Sequence, residues 1–530
     1  MENSPELAAS DGSIAEGSSQ APVIEFLSKP ENYPHKAASV SRIDTHAAIV
    51  FLAGERAYKL KRAVKLPYLD FSTLEKRRIA IARELEINSR ATPELYLSVL
   101  PVTRGERPGS FEFGGSGEPA EWLLEMRRFD QDALLDTIAS KGRLDRAHII
   151  ELAYTIEHFH RQAPRVTGAG FAHNLEHVAE DLEAALCGRS AQAQGLHLNS
   201  FAERLRQELA ARTPLIVERE REGFVRRCHG DLHLRNIVLW EGKPRLFDAI
   251  EFDDRLATID VLYDLAFLLM DLWHRGLRQE ANLILNHYFQ RAAISELTGL
   301  ALLPLFLSLR ASIRAMTGLH ALAFQEAASR ESQVREIESY ACLAGNLLAP
   351  GRPCLVAIGG ISGTGKTSVA REAAPLIGAT PGALHIRTDV ERKVMQGIAL
   401  DRMLPRDAYT PEARDEVYRR VFKKAEVALD SGHSVIVDAV FPEETWRASL
   451  CELAHRTSAS FWAFWLEANA SAIHERITAR SAGASDASDA DTFIADAQLK
   501  TVEPPQNWIK IDASGTVSSI AAAIMNKLWE

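Results

Sequence analysis

The sequence predicts an α+β domain followed by an α/β domain with a parallel sheet, and three observations carry that expectation. The chain has 530 residues, more than a single hydrophobic core organises. In Leu348-Ala-Pro-Gly-Arg-Pro353 two prolines and a glycine stop a helical pattern, which marks a linker over residues 346–352. Before the linker, strand-like segments give way to long helical ones. After it, strand and helix patterns alternate to the end, as βαβ units do. The expected division is a flexible tail over 1–20, a first domain over 21–345 and a second over 353–530.

Within the first domain, Ala47 to Leu52 and Arg56 to Val64 read as two strands joined by an Ala-Gly-Glu turn. Ser72 to Arg90 follows as an amphipathic helix, with Ser72 and Glu75 as a capping box. Tyr96 to Val102 and Glu121 to Phe129 read as further strands. Residues 132–222 are helical in pattern, 228–254 form a compact polar segment, and helices resume from 258 to about 347.

Composition narrows the function. Hydrophobic residues make up 46% and charged residues 25%, which is globular rather than disordered or coiled-coil usage. The net charge of −10 argues against a nucleic-acid-binding surface, though not against a local phosphate pocket. Five cysteines, none in a C-x-x-C pair, suit reduced thiols in a cytoplasmic protein. The polar N-terminus lacks the pattern of a signal peptide. The longest apolar run, between Glu296 and Arg310, has 13 residues and contains Pro304, so it reads as a buried helical segment and not a membrane span.

The strongest motif is Gly360-Ile-Ser362-Gly363-Thr364-Gly365-Lys366-Thr367, which matches G-x-x-x-x-G-K-[ST] in full. An apolar strand, Leu355 to Ile358, precedes it and a helical stretch follows from Ser368. Such glycines let successive backbone N–H groups point at phosphate oxygens. Lys366 is placed to reach the terminal phosphates, and Thr367 to ligate Mg²⁺. Asp389 and Asp438 end later apolar runs, where chemistry in open α/β sheets sits. Asp438 suits a metal-positioning role and Asp389 a base that orients an acceptor hydroxyl. Arg476 and Arg480, four apart before a Ser-Ala-Gly-Ala-Ser-Asp segment, suit a lid that closes cations over a transferring phosphate.

Together with RTDVERK (387–393), VIVDAVF (435–441) and the region 475–491, these residues resemble the small P-loop kinases, the gluconate-kinase-like, chloramphenicol-phosphotransferase-like and zeta-toxin-like proteins. The resemblance covers 353–530. It implies that Asp389 is the base near the acceptor, that Arg392 contacts the acceptor, and that Arg476 and Arg480 are lid arginines.

The second motif is His229-Gly-Asp231-Leu-His233-Leu-Arg-Asn236, with Asp248 twelve residues beyond Asn236. A base in a tight loop, with an Asn and a later Asp to hold Mg²⁺, is what phosphoryl transfer from a nucleotide requires. Ile237 to Trp240 and Pro244 to Phe247 read as a short hairpin that delivers Asp248. This set resembles the aminoglycoside-phosphotransferase-like branch of the protein-kinase fold, over about 40–345, through THAAIVFL, AYKLKRAV, the helix with Arg83 to Asn88, and residues 250–268. The resemblance implies that Lys59 pairs the ATP phosphates and that Glu84 holds it, with Lys61 and Glu86 as alternatives two residues away. No G-x-G-x-x-G loop is present over Ser41 to His46, so phosphate cover must come from elsewhere. Asp260 and Asp264 are expected to brace the catalytic loop or cap a helix rather than act chemically. Glu251, Asp253 and Asp254 are candidates for an acidic cluster in an acceptor pocket.

His173-Asn-Leu-Glu176-His177 matches the zinc-peptidase pattern H-x-x-E-H, with His158 and His160 nearby, but no third ligand stands at family spacing. The expected function is therefore an ATP- and Mg²⁺-dependent phosphotransferase with two sites and small-molecule or peptide acceptors. A nucleotide-sensing module with one inactive half is the competing class. Both motifs keep an aspartate suited to act as a base, which a binding module does not need.

Overall fold

The structure, a computed structural model, describes residues 20–45, 47–66, 69–187, 198–322, 327–349, 351–482 and 487–529. The tail expected over 1–20 lies outside the described residues up to residue 19. Gln20 is buried, and its amide donates to the Lys61 carbonyl oxygen at 3.0 Å. The chain divides into two compact units, residues 1–143 with 227–258, and residues 144–226 with 259–530.

The first unit is built on a sheet of strands β1 (Val40–Asp44), β2 (Ala48–Ala53), β3 (Arg56–Lys61), β4 (Tyr96–Arg104), β5 (Phe111–Phe113) and β6 (Pro119–Arg127). The spatial order is β1-β2-β3-β6-β4-β5, antiparallel throughout. Alternation along β3 sends Tyr58 and Leu60 into an apolar core with Ile49, Phe51 and Leu123. Lys59 and Lys61 therefore share the opposite face. Helix α1 (Leu74–Ala91) lies between β3 and β4 in the chain and buries Arg77, Ala80, Ile81, Glu84 and Asn88, a stripe at helical spacing. Its cap differs from the expected Ser72–Glu75 box. The Ser72 hydroxyl is spent on Asp70, and the extended Thr73 accepts from the Lys76 N–H instead. The hairpin β7 (Ile237–Trp240) and β8 (Lys243–Leu246) forms as expected. β1 and β5 have no counterpart in the sequence reading.

The second unit opens with helices α2 (Arg146–Gln162), α3 (Phe171–Cys187), α4 (Leu198–Arg221), α5 (Val261–His274), α6 (Arg278–Tyr288), α7 (Leu303–Ala321) and α8 (Ala327–Leu347). Asp260 and Asp264 are buried here, and Asp260 caps a helix, the second of the two roles expected. Asp260 takes both Arg219 Nε and a terminal nitrogen, at 2.7 and 3.0 Å, and caps α5 through the Leu262 N–H. Asp264 meets His160 Nε2 at 3.1 Å, and the other ring nitrogen of that histidine meets the Tyr288 hydroxyl. His173 and His177 are exposed and contact each other at 3.0 Å. The stretch Ile294–His320 is long and apolar enough to cross a membrane, yet 67% of its most apolar window is buried among the other helices, as expected of a core segment.

The same unit continues as alternating strands and helices: β9 (Cys354–Gly359), α9 (Lys366–Ala373), β10 (Leu384–Arg387), α10 (Thr388–Met395), α11 (Pro411–Asp430), β11 (Val435–Asp438), α12 (Glu444–Arg456), β12 (Ser460–Glu467), α13 (Ala470–Ala482), α14 (Thr492–Thr501), β13 (Ile509–Asp512) and α15 (Val517–Trp529). The five strands are parallel in the order β10-β11-β9-β12-β13. Helices cover the sheet, so β9 and β11 are almost wholly apolar and buried. This architecture is a kinase-like domain followed by a P-loop domain with a parallel sheet.

One buried histidine makes stability depend on acid. Burial pushes His433 down to about 4, so the native ring is neutral where the unfolded ring begins to protonate. Its contribution is complete above pH 6.5 and is lost as pH falls toward 4, by roughly 3 kcal/mol at most. Thermal unfolding monitored from pH 7 to pH 5 is expected to show a falling midpoint, and His433→Gln is expected to narrow that difference.

Candidate active sites

In the first unit, β3 and α1 bring a lysine pair against a buried carboxylate. Lys59 Nζ lies 2.7 Å from Glu84 Oε1 and 2.5 Å from Asp248 Oδ1. Lys61 Nζ also contacts Glu84 and reaches Glu251 Oε1 at 2.5 Å. Of the two carboxylates the sequence left open, Glu84 is fully buried at this point, whereas Glu86 is exposed and paired with Arg90. Of the two lysines, Lys59 is the one on Asp248. Burial by itself would drive the Lys59 ammonium toward neutrality, but Asp248, Glu84 and Glu251 hold it well above the usual lysine range.

The His229–Asn236 loop is tied by its own side chains. Asn236 Nδ2 donates to Asp231 Oδ2 and to the Asp231 carbonyl oxygen, each at 2.9 Å. The Asp231 N–H donates to His229 Nδ1, which leaves Nε2–H to donate to the Phe247 carbonyl oxygen at 2.9 Å. Gly230 adopts φ +85°, and a Cβ there would lie 3.0 Å from both Ala257 Cβ and the Leu256 carbonyl oxygen, so only glycine fits this turn.

Asp248 sits at φ +62°, an unusual conformation for a non-glycine residue. Two groups hold it there: the Tyr96 hydroxyl accepts from the Asp248 N–H, and Asn88 Oδ1 accepts from the next N–H, that of Ala249. Burial raises the Asp248 carboxyl, but the charge and hydrogen bond of Lys59 outweigh it and the net shift is downward. The nearby charge of Asp231 opposes that shift, so the two motif aspartates share one field. Neither Tyr96 nor Asn88 carries a motif signal, and their roles were missed from sequence.

The acids of the expected cluster are engaged in separate contacts. Glu251 is buried against Lys61. Asp253 caps the short turn at Arg255, and Asp254 pairs with Arg83 and Arg227. Each carboxylate already serves a fold contact.

In the second unit, the loop after β9 has the backbone the glycine motif predicts. Gly360, Gly363 and Gly365 have φ values of +145°, +85° and +94°. Thr367 Oγ1 donates to Asp438 Oδ2 at 2.6 Å, and Lys366 Nζ donates to the Ile361 carbonyl oxygen at 2.8 Å. Parallel pairing of β10 with β11 puts Arg387 beside Asp438, and His385 Nε2 lies 3.4 Å from the same carboxylate oxygen. Burial opposes ionisation of Asp438, but His385, Lys366 and Arg387 pull its carboxyl far below the usual range. Burial also holds the His385 ring below its ordinary value.

Asp389 lies in the first turn of α10, two residues past the end of β10, rather than ending the strand as expected. It is half-buried, and its charge is felt by Tyr409 and Tyr418. Arg392 donates to the Ala408 carbonyl oxygen and stacks over Tyr409, so it is already engaged with the fold. Lys393 pairs with Asp489 at 2.8 Å, which also accepts from the Tyr409 hydroxyl.

Arg476 reaches the phosphate loop, donating to the Thr364 and Ala513 carbonyl oxygens at 3.0 and 2.6 Å. It therefore clamps the loop backbone. Arg480 lies on α13, and its side chain is outside the described residues. One residue has no precedent in the sequence reading: Gln498 on α14 accepts from the Ser362 N–H at 2.7 Å. Its amide oxygen occupies a donor of the kind that phosphate loops offer to anions.

Residues 114–302 match the phosphotransferase enzyme family, and residues 355–505 match the AAA domain family. The chain joins a phosphotransferase-family domain to a P-loop kinase domain. The phosphotransferase match contains Asp231, Asn236 and Asp248 but starts after Lys59 and Glu84. The AAA domain match contains the motif from Gly360 to Thr367 together with Asp389, Asp438, Arg476 and Gln498.

Uncharacterized proteins of Mycobacterium tuberculosis and Mycobacterium bovis are each 29% identical over 452 residues, 84% of this chain and 87% of theirs. Among solved structures, a choline/ethanolamine kinase family protein from Mesorhizobium loti covers 62% of this chain and 99% of its own at 13% identity, with a TM-score of 0.38. A gluconokinase from Sinorhizobium meliloti covers 34% and 97% at 21% identity, with a TM-score of 0.25.

Two substitutions test the P-loop geometry. At Gly360 a Cβ would come within 2.9 Å of the Leu466 carbonyl oxygen at a φ that disfavours side chains. Gly360→Ala is expected to cost about 1–3 kcal/mol and to weaken nucleotide binding, read by thermal unfolding and calorimetry. Gln498→Ala frees the Ser362 N–H and is expected to tighten nucleotide binding several-fold, by roughly 1 kcal/mol. Unchanged or weaker binding would show that the amide does not compete with phosphate.

Proposed function

We propose that the protein is an ATP-dependent phosphotransferase with two nucleotide sites, each moving a γ-phosphoryl group onto the hydroxyl of a small molecule. One observation carries this reading: the same chemical set recurs in both compact units. The first gathers the Lys59–Asp248 pair and Asp231 held by Asn236, with the Asp231 charge acting on Asp248. The second holds Lys366 and the Thr367–Asp438 pair at the phosphate loop, and carries Asp389 in the first turn of the next helix, α10. Two kinase-type domains support phosphoryl transfer in general.

Each set supplies what a loose, anionic transition state needs: positive charge near the phosphates and a carboxylate to orient the attacking hydroxyl. In the first site, Asp231 is the group proposed to take the acceptor proton, held by the Asn236 amide. Lys59, kept charged between Glu84 and Asp248, is proposed to bind the nucleotide phosphates. In the second, the phosphate loop and Lys366 bind phosphate, Asp389 orients the acceptor, and Arg476 keeps the loop in shape. Arg480 is proposed to add a lid charge.

The metal-suited donors are hard oxygens, Asn236 and Asp248 in one site, Thr367 and Asp438 in the other, as Mg²⁺ requires. Bound there, Mg²⁺ would neutralise charge on the terminal phosphates. A cytosolic location, where ATP and magnesium are abundant, belongs to the same proposal.

The test is transfer of label from γ-labelled ATP to a pool of hydroxylated metabolites. Asp231→Ala and Lys366→Ala are each expected to remove a separate share of the labelled products, by about 100-fold or more. Nucleotide binding with no labelled acceptor and no released phosphate would overturn the proposal.

A further inference from the structure

The second unit contains a cavity beside the P-loop site, which shares His385 and Arg387 with it. It is an open cavity of about 70 Å³. One wall is helix α6 with the residues after it, bearing Asn282, Asn286, His287 and Gln290. The other is edge strand β10 from Leu384 to Arg387, with Arg371, Glu391 and Lys424 around it. On α10, Val390 and Glu391 face this cavity, whereas Arg392 turns to Tyr409, so the cavity lies off the side proposed for the acceptor.

Its walls are rigidly tied. β10 is the outer strand of the sheet, and two asparagines complete its free edge. Asn286 Oδ1 accepts from the His385 N–H at 2.6 Å, and the side-chain amides of Asn282 and Asn286 donate to the Ala383 carbonyl oxygen at 3.1 and 3.2 Å.

Its charge is positive. Three cations, Arg371, Arg387 and Lys424, face one carboxylate, Glu391, which Lys424 and Arg420 already hold at 2.5 and 2.9 Å. Burial, reinforced by Arg371 and Arg387, pushes His287 down to about 4, and the same two arginines depress His385. Both guanidinium charges therefore reach the cavity. Gln290 Oε1 accepts from the Tyr154 hydroxyl, which leaves its amide N–H₂ as a donor end.

We propose that this cavity binds a phosphate-class oxyanion between Arg371 and Arg387. Because Arg387 also lies 3.8 Å from Asp438, an anion here would compete with that carboxylate for the guanidinium and so modulate the P-loop site. Binding itself does not depend on the phosphotransferase reading; only the modulation does.

The experiment is calorimetric titration of the full chain with inorganic phosphate, in a Lys366→Ala background that disables the phosphate loop. Saturable binding is expected there. Adding Arg371→Gln is expected to weaken it about tenfold, and adding Arg371→Lys to retain most of it. Parallel titration with AMP distinguishes a free phosphate from a phosphate monoester as the ligand. No binding in the Lys366→Ala protein, or binding that is unmoved by Arg371→Gln but lost with Lys59→Ala, would overturn the proposal. A chain that binds phosphate here yet transfers no label would separate this site from the proposed activity.

Discussion

Asp438 lies at the carboxyl end of a buried strand, and an isolated carboxylate there would be neutralised or would cost several kcal/mol to keep charged. It stays ionised because the sheet topology delivers partners to it from two directions. The phosphate loop brings Thr367 and Lys366, and the neighbouring parallel strand brings His385 and Arg387. The strand order places β9 in the middle, with β11 beside it. The crevice beyond the strand ends thus gathers the loop, the carboxylate and the first turn of α10. Shifting β11 or β10 by one residue would turn Asp438 or His385 to the wrong face.

The first site solves the same problem with another scaffold. Two lysines two residues apart on β3 are set against Glu84, Asp248 and Glu251 in an alternation of charge that is buried except at the Asp248 carboxylate. No member of such a set is replaceable alone, because removing one leaves an uncompensated neighbour. The unusual backbone of Asp248 belongs to this arrangement: Tyr96 and Asn88 hold the turn that aims the carboxylate at Lys59. In both units a lysine and a carboxylate are held together in surroundings that strengthen their interaction with an anion.

Edge strand β10 has a further consequence. An unpaired strand edge needs partners, and here α6 supplies them through asparagine amides rather than through another strand. Helical packing thereby fixes the backbone of His385, whose ring meets Asp438. The helices of the kinase-like domain and the strand that carries the P-loop chemistry are parts of one compact unit.

Sequence by itself determined the two-part architecture, the parallel sheet after Pro353, the hairpin that delivers Asp248, and the two motif loops. These features rest on short-range signals: alternation, glycine spacing and a motif whose members are within about twenty residues of one another. It left Lys59 against Lys61 and Glu84 against Glu86 undecided, since two positions on one strand face, or on neighbouring helix turns, look alike until a partner is placed. The cap at Thr73, the dispersal of the acids at 251–254 into separate ion pairs, the turn of Arg392 toward Ala408 and the reach of Gln498 to Ser362 were decided only by tertiary structure. In each case the deciding partner is remote in the chain, or two neighbouring groups compete for one hydrogen bond, and the packed geometry chooses between them.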